Sequence, residues 1–491
     1  MKFQVFQNGE VLDKFSLCGA YLFGTDGIAI RQAKITFKKG FIECKKSHLE
    51  TAGLSLLWPI EGFGKVLLST TCLSERKRPY NLNVEVVRSK LMQIINKRED
   101  WSFFSDIEGL EDISKEAHDL FIQAIQNNTD PSYASKLADE SLKRTMVYSE
   151  KLASRQAELL FETRNENHGF GRGCLGCKID PMQIENSEYV NKLLELFGFV
   201  TIPISWAQIE QSKGSYDFST VDACIEVLGK KRVAICAGPL LCFSEAYLPK
   251  WLMHSKMGFE KIREAAYQFV SKVVSRYSGL IRVWRVISGL NAFNHFGFSF
   301  EQILEMTRAA NMAVKQGSER SLKIIEISNP WGEYYATKVN TIPPLVYIDM
   351  VVQSGINFDA FGLQMQFGKN ESGMHIRDMI QISEVLDYFG PVAKPLYITE
   401  VAVPSESGQG LYDGATAGQW HGQWGQSQQG QWIEQFYEIA LSKPFIDAIT
   451  YSNLADTKNS TIASSGLLNS QLEHKKSYHT LRRLRSVIFN R

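Results

Sequence analysis

The feature that most constrains the fold is a regular alternation of short apolar runs and amphipathic stretches between about residues 170 and 485. The stretches at 184–196, 258–278, 301–316 and 430–442 have helical spacing, and apolar runs of strand length lie between them. Alternating strands and helices predict a parallel sheet with helices on its faces. Eight such units predict an α/β fold, the (β/α)8 TIM barrel, with its site at the C-terminal strand ends. The strands are predicted to end near Lys178, Ile204, Ala237, Ile287, Ser328, Gln364, Glu400 and Tyr451.

Residues 1–92 have a different pattern and predict a β-sandwich-like domain. Short alternating runs such as Ala33–Phe37 and Leu82–Val86 are separated by turn signals such as Asn8-Gly9. Residues 93–167 predict a helical connector, whose long amphipathic stretch begins at Pro131. The predicted domains are therefore 1–92, 93–167 and 168–491, with the barrel last.

Charge and hydropathy exclude several classes of partner. The 54 basic and 53 acidic side chains leave a net charge of +1, which argues against a nucleic-acid or anionic-membrane surface. No apolar run approaches the length of a membrane span. The N-terminus begins as an alternating strand and lacks the features of a signal peptide, so we predict a cytoplasmic protein. The oligomeric state is not indicated.

The eight cysteines are too few for a disulfide scaffold. Cys174 and Cys177 have C-x2-C spacing, but no second pair of ligands follows at a zinc-site distance. We predict buried structural thiols, with a metal or redox pair as the alternative, and we expect no cofactor.

Several segments of the barrel region resemble glycoside hydrolase family 10, the retaining xylanase family. They occur in the family's order and spacing, and the barrel region over which the resemblance extends is about two thirds of the chain. The segments are Phe197–Thr201, Trp206–Glu210, Leu248–Leu252, Asp359–Gln364, Tyr397–Glu400 and Ala448–Asp456.

The resemblance implies an asymmetric catalytic pair. Glu400 matches the family's nucleophile at the end of strand seven, whereas Gly289 stands where the family has its general acid on strand four. Arg285 replaces an acidic residue on strand four, and we expect it to pair with Glu326, unless Glu326 itself faces the site. Other sugar-binding positions are also replaced, giving Ser205, Ser288, Gln366 and Ser452.

A substitute acid is one hypothesis. Glu333 lies in the loop after strand five beside Trp331, Tyr334 and Tyr335, which would desolvate its carboxyl group and raise the pKa. The alternative is a loop glutamate in a salt bridge.

The predicted substrate-binding residues are amides and indoles near the mouth of the barrel. The loop 405–432 contributes two tryptophans, although it is equally consistent with a surface loop that contacts no ligand. The set is Gln364, Gln366, Trp206, Trp331, Trp420 and Trp424.

Two functions follow from the resemblance. The first is hydrolysis of O-glycosidic bonds in a β-linked poly- or oligosaccharide, with Glu400 as nucleophile and a non-standard or absent acid. The second is a catalytically inactive barrel that binds a glycan or a protein. With either function, residues 1–92 are interpreted as a carbohydrate-binding module or as a packing or interaction domain.

Overall fold

The structure is a computed structural model that describes residues 1–47, 50–101, 109–167, 169–171, 173–392 and 394–489. Within these residues, no helix is both long enough and apolar enough to cross a membrane. The cytoplasmic location remains a prediction.

The N-terminal region contains short strands followed by three helices. Two four-stranded sheets, ordered β5-β6-β1-β9 and β18-β8-β7-β4, share one apolar core, and β2 and β3 form a separate ribbon. This arrangement is the β-rich, sandwich-like region that the sequence predicts. The elements are β1 (Lys2–Gln4), β2 (Phe6–Gln7), β3 (Glu10–Val11), β4 (Tyr21–Phe23), β5 (Lys34–Lys38), β6 (Phe41–Lys45), β7 (Gly53–Ile60), β8 (Gly64–Ser69), β9 (Tyr80–Asn81), α1 (Leu82–Asp100), α2 (Leu110–Gln126) and α3 (Pro131–Asn167), together with β18 (Gln419–Trp420) from the barrel.

The prediction of a strand at Leu82–Val86 was wrong, because these residues begin helix α1. The polar members of the alternating run are buried as well. Asn83 donates hydrogen bonds to Phe6 O at 3.1 Å and to Asp139 Oδ1 at 2.7 Å. Buried polar groups that are hydrogen-bonded can occupy a core, so the alternation does not mark one exposed face. The predicted boundary at residue 92 falls inside α1, and the domain division remains a proposal.

Residues from 175 onward form a closed parallel barrel, as predicted. In the described part of the chain the strand order is β12-β11-β10-β19-β17-β16-β15-β14-β13, and pairing of β12 with β14 closes the ring. Strands β12 and β13 together form the third of the eight barrel strands. The strands are β10 (Leu175–Lys178), β11 (Phe199–Ile202), β12 (Ala234–Ala237), β13 (Leu241–Cys242), β14 (Val283–Ser288), β15 (Leu322–Ile327), β16 (Ala360–Gln366), β17 (Leu396–Ala402) and β19 (Ile446–Tyr451).

Helices surround the barrel, and local capping fixes where several of them begin. Asp378 and Gln381 form a capping box at α11, as Ser299 and Gln302 do at α9, so that free backbone N–H groups find partners. The helices are α4 (Ser187–Leu196), α5 (Trp206–Ile209), α6 (Ser219–Lys230), α7 (Lys250–Met253), α8 (Phe259–Arg276), α9 (Phe300–Gly317), α10 (Pro344–Gln353), α11 (Met379–Phe389), α12 (Gly414–Ala417), α13 (Gln426–Ser442) and α14 (Lys476–Phe489), with 3-10 segments Pro181–Gln183, Glu333–Ala336, Gly390–Val392 and Gly410–Tyr412.

The N-terminal region is joined to the barrel loops by backbone hydrogen bonds. Strand β18, in the loop after β17, pairs antiparallel with β8. Leu67 N donates to Ile376 O at 2.9 Å, and Leu67 O accepts from Gln381 Nε2 at 2.9 Å. The N-terminal sheet therefore continues into the loops at the C-terminal end of the barrel.

A buried ion pair reinforces this junction. Lys90 Nζ on α1 lies 2.8 Å from Asp378 Oδ1, and both side chains are almost fully inaccessible. Lys97 lies about two turns further along α1. Its Nζ atom is 2.5 Å from the carboxylate of the partly exposed Asp387, which also contacts Lys443.

Lys90→Met is expected to lower the free energy of unfolding by about 3–5 kcal/mol, because the Asp378 carboxylate would be left buried without its cation. Lys97→Met is the matched control and should cost less, since Asp387 is partly hydrated and keeps Lys443. Urea unfolding of both variants followed by fluorescence would test this. Equal losses would contradict the assigned role of Lys90.

Candidate active site

Glu400 lies in β17 at the mouth of the barrel, and every oxygen of its carboxylate has a partner. Oε2 accepts hydrogen bonds from Lys178 Nζ at 3.0 Å and Gln366 Nε2 at 2.9 Å. Oε1 accepts from Arg285 Nη2 at 3.1 Å. Only 5% of the residue is accessible, so these contacts replace hydration of the carboxylate.

Arg285 links Glu400 to a second buried acid. Its Nη2 atom also lies 2.8 Å from Glu326 Oε1, and Arg285 and Glu326 are at most 1% exposed. The predicted Arg285–Glu326 pair is therefore confirmed. Lys178, Arg285, Glu326 and Glu400 come from barrel strands one, four, five and seven. We call these four side chains the charge cluster, and its two cations match its two anions.

The charge cluster controls the ionisation of Glu400. Burial alone would raise the pKa of Glu400, but Lys178 and Arg285 more than offset this effect and hold the pKa below its usual value. Burial likewise disfavours charge on Arg285, while Glu326 and Glu400 raise its pKa. Glu400 is thus a carboxylate at neutral pH. Its contribution to stability is present above the usual glutamate pKa and is lost as the pH falls through the lowered value.

Gly289 lies directly after β14, where both its backbone conformation and its neighbours disfavour a side chain. Its φ is +62°, a region that favours glycine. A Cβ atom at this position would lie 2.5 Å from Ser328 Oγ and 2.7 Å from Phe293 Cδ2. The position that the resemblance assigns to the family's acid is therefore filled by neighbouring side chains, and a carboxylate could not be added there without rearrangement.

The two predicted amides have different environments. Gln364 Oε1 accepts from Ser328 Oγ at 2.5 Å, and Gln364 Nε2 donates to Ser288 Oγ at 3.1 Å. Gln366 joins Glu400 to Ser452 Oγ, which lies 3.2 Å from Gln366 Nε2. The structure therefore brings Gln366 into contact with Glu400 and places Gln364 beside Gly289.

Glu333 connects two loops. Its Oε2 atom accepts from the backbone N–H of Gly373 at 2.6 Å, and its Oε1 atom is ion-paired with Arg377. Both Glu333 and Arg377 are buried. These contacts correspond to the salt-bridge alternative. Because an ion-paired carboxylate accepts hydrogen bonds and has no proton to donate, they give no support to an acid role.

The four tryptophans are not assembled into one cleft. Trp206 is 2% exposed, donates to Glu210 Oε2 at 2.7 Å and stacks on Phe269. Trp420 and Trp424 are also buried, and Trp420 belongs to β18. Trp331 keeps partial exposure, with the Arg377 guanidinium 4.4 Å from its ring centre.

Cys174 and Cys177 are buried free thiols. Burial raises the pKa of Cys174 to about 12, which disfavours the reactive thiolate. Among the described residues, no group of three or more His, Cys, Asp or Glu side chains is arranged to hold a metal ion.

Sequence reasoning did not assign Lys178 or the Arg285–Glu400 contact to the site. Lys178 had a detectable signal, since a charged residue ends an otherwise apolar strand where barrel sites form. Arg285 and Glu400 lie on strands that are not adjacent, so their contact could not be predicted from their positions in the sequence.

Gly289→Ala is expected to destabilise the protein by about 1–3 kcal/mol more than Gly355→Ala, because only the first substitution adds steric overlap. Gly355 has a similar φ of +68° and open space around it, so it measures the conformational cost alone. Thermal unfolding of the two variants provides the comparison. Equal changes in Tm would show that the strand-four end can accept a side chain.

Arg285→Met is expected to cost about 3–5 kcal/mol, since Glu326 and Glu400 would lose their shared cation in a buried site. Lys178→Met should cost less, because the Lys178 side chain is 19% exposed and Arg285 remains. Denaturant unfolding at pH 7 would measure both. A larger loss for Lys178→Met would contradict the central role of Arg285.

Comparison with known proteins identifies the barrel. The family model described as "Glycosyl hydrolase family 10" matches residues 167–483. Endo-1,4-beta-xylanase B of Thermotoga neapolitana is 22% identical over 258 residues, which are 52% of this chain and 68% of the relative.

Solved structures share the fold at low identity. Native xylanase 10B from Thermotoga maritima has a TM-score of 0.50 and 16% identity, covering 65% of this chain and 97% of its own. A GH10 endoxylanase retrieved from a sugarcane soil metagenome has a TM-score of 0.50 and 14% identity, with the same coverage. With the family model matching well over half of its length, the chain belongs to glycosyl hydrolase family 10.

Proposed function

We propose that this protein hydrolyses O-glycosidic bonds of a β-linked glycan or oligosaccharide, with Glu400 as the nucleophile. The observation that carries the proposal is the ionised, dehydrated carboxylate of Glu400 at the barrel mouth. A nucleophilic carboxylate must be deprotonated at the working pH, and Lys178 and Arg285 stabilise that form.

The step that would be slow in this reaction is departure of the leaving group. Glu400 attacks C1 of the sugar, a glycosyl ester forms, and the bond from C1 to the leaving oxygen breaks with its electron pair on that oxygen. Water then cleaves the ester. A general acid that protonates the leaving oxygen contributes about 10²–10⁴ in rate, and Gly289 cannot provide one. We therefore expect slow turnover unless the leaving group is a weak base.

The contacts and burial of the other predicted site residues favour a role in the site for some of them and not for others. Gln366 is favoured for substrate binding because it contacts Glu400, and Gln364 lies near the strand-four end. Trp331 is partly exposed. The burial of Trp206, Trp420 and Trp424 favours packing roles for these three. For Glu333 to serve as the acid, its pairing with Arg377 would have to break when substrate binds.

The second candidate function is a catalytically inactive barrel that binds a glycan or a protein. It is favoured by the engagement of Glu400 with Lys178, Arg285 and Gln366, because attack on a sugar carbon requires a free oxygen lone pair in the right direction. The absence of an acidic side chain at position 289 also favours the inactive, binding function.

Incubation with 2,4-dinitrophenyl β-glycosides would separate the two functions, since this leaving group departs without protonation. Wild type is expected to release dinitrophenol, and Glu400→Gln should lower the rate at least ~10²-fold because the attacking oxygen anion is removed. Glu406→Gln is the matched control, because Glu406 is exposed in the loop after the same strand.

Azide adds a diagnostic for the missing acid. It should accelerate wild-type turnover by attacking the glycosyl ester without a general base, giving a glycosyl azide of retained configuration. Equal dinitrophenol release by wild type and Glu400→Gln across gluco-, xylo-, manno- and galactosides would reject hydrolysis by Glu400 and leave the binding function.

A further inference from the structure

A cavity lies at the mouth of the barrel, between the N-terminal region and the barrel loops. It has a volume of about 460 Å³. Phe293, Asn329 and Asn370, from the loops after β14, β15 and β16, line one side. The segment Leu17–Tyr21 of the N-terminal region forms the opposite wall. The cavity is thus built from two parts of the chain.

The polar groups of this cavity suit a neutral, hydroxyl-rich ligand. His375 is 3% exposed: its Nε2 atom lies 3.1 Å from Asn370 Oδ1, and its Nδ1 atom has no hydrogen-bond partner and lies 3.8 Å from Glu333 Oε2. Burial lowers the pKa of His375 to about 4, so the ring is neutral; with Nε2 donating to Asn370 Oδ1, Nδ1 remains as an acceptor. Asn329 adds an amide group, the Asn370 amide nitrogen has a long contact of 3.9 Å to Cys18 Sγ, and the Lys338 ammonium lies 4.8 Å from the centre of the Phe293 ring.

The acidic side chains in the lining are already paired within the protein. Glu333 is paired with Arg377, and Glu371 Oε1 lies 2.6 Å from Lys369 Nζ. The lining therefore presents neither a group of free cations for a phosphate nor free carboxylates for a cation. Amides, a neutral imidazole and aromatic rings are the groups that recognise sugars.

The N-terminal wall is fixed in place. Gly19, at φ +71°, approaches His375 so closely that a Cβ atom would lie 3.1 Å from the imidazole ring. Arg31 donates to Thr341 O at 2.8 Å, and its guanidinium lies 3.9 Å from the centre of the Tyr335 ring. These contacts hold the N-terminal region against the loops after β15 and β16.

We propose that this cavity binds the terminal sugar of a short β-linked oligosaccharide, and that segment Leu17–Tyr21 blocks the path along which a longer glycan would continue. The chain would then bind glycan ends or short oligosaccharides and not the interior of a polymer. This specificity rests on the proposed carbohydrate function, but it concerns binding and is independent of hydrolysis by Glu400.

Isothermal titration of the full-length protein with β-1,4-linked xylo- and gluco-oligosaccharides of two to six sugars tests the proposal. Wild type and Glu400→Gln are titrated in parallel, so that turnover does not distort the isotherm. We expect one site per chain, and an affinity that stops increasing once the cavity is filled. Soluble xylan should bind in proportion to its chain ends.

Ala20→Trp, which fills the cavity from the N-terminal wall, should weaken binding at least ~10-fold, equivalent to about 1.4 kcal/mol. Thr25→Trp is the matched control, since Thr25 is exposed in the same region and does not line the cavity. Asn370→Ala adds a smaller change from the barrel side and should weaken binding about fivefold. Only variants whose Tm matches that of wild type are compared.

The outcomes separate this proposal from the hydrolytic one. Binding that Ala20→Trp weakens, without dinitrophenol release, supports the cavity and rejects hydrolysis. Release by wild type combined with unchanged binding by a folded Ala20→Trp variant rejects the cavity alone. Xylan binding proportional to its sugar units, or no binding of any of these probes, would also overturn the proposal.

Discussion

The ion pairs of Arg285 with Glu326 and Glu400 are the interaction on which the site depends. A guanidinium at 1% exposure is stable there only because two carboxylates lie within 3.1 Å of it, and those carboxylates are tolerated because of the cation. Lys178 completes the charge balance from strand one. The charge cluster therefore connects non-adjacent strands through the interior of the barrel and keeps Glu400 ionised where a solvent-shielded acid would otherwise be protonated.

The same pairs restrict what the site can do. In a two-carboxylate glycosidase, one acid is ionised and the other protonated, and different environments maintain that difference. Here the cations of the charge cluster favour the ionised form of Glu400, while Gly289 has no side chain at the position that the resemblance assigns to the proton donor. Ser328 and Phe293 occupy the space that a side chain there would need. The strand-four end is thus closely packed, and the nucleophilic role proposed for Glu400 would receive no acid from position 289.

Much of the barrel could be predicted from the sequence because it depends on local patterns. Strand-length apolar runs and helical periodicity locate the βα units, and the predicted strand ends near Lys178, Ala237 and Tyr451 match the structure. The Arg285–Glu326 pair was also predictable, since two charged residues in adjacent buried strands need each other. The prediction of a strand at Leu82–Val86 was wrong because Asn83 in this run is buried and hydrogen-bonded to Phe6 and Asp139, which are distant in sequence.

The barrel and the family could be read from the sequence, as could glutamate at position 400 and glycine at position 289, because these depend on the order of residues along strands and loops. Folding brings Arg285 and Lys178 to Glu400, pairs Glu333 with Arg377 and adds Trp420 to an N-terminal sheet. It also places the N-terminal region as one wall of a cavity at the barrel mouth. Such contacts join residues hundreds of positions apart, and side-chain charge and shape select them only once the backbone has brought the residues together.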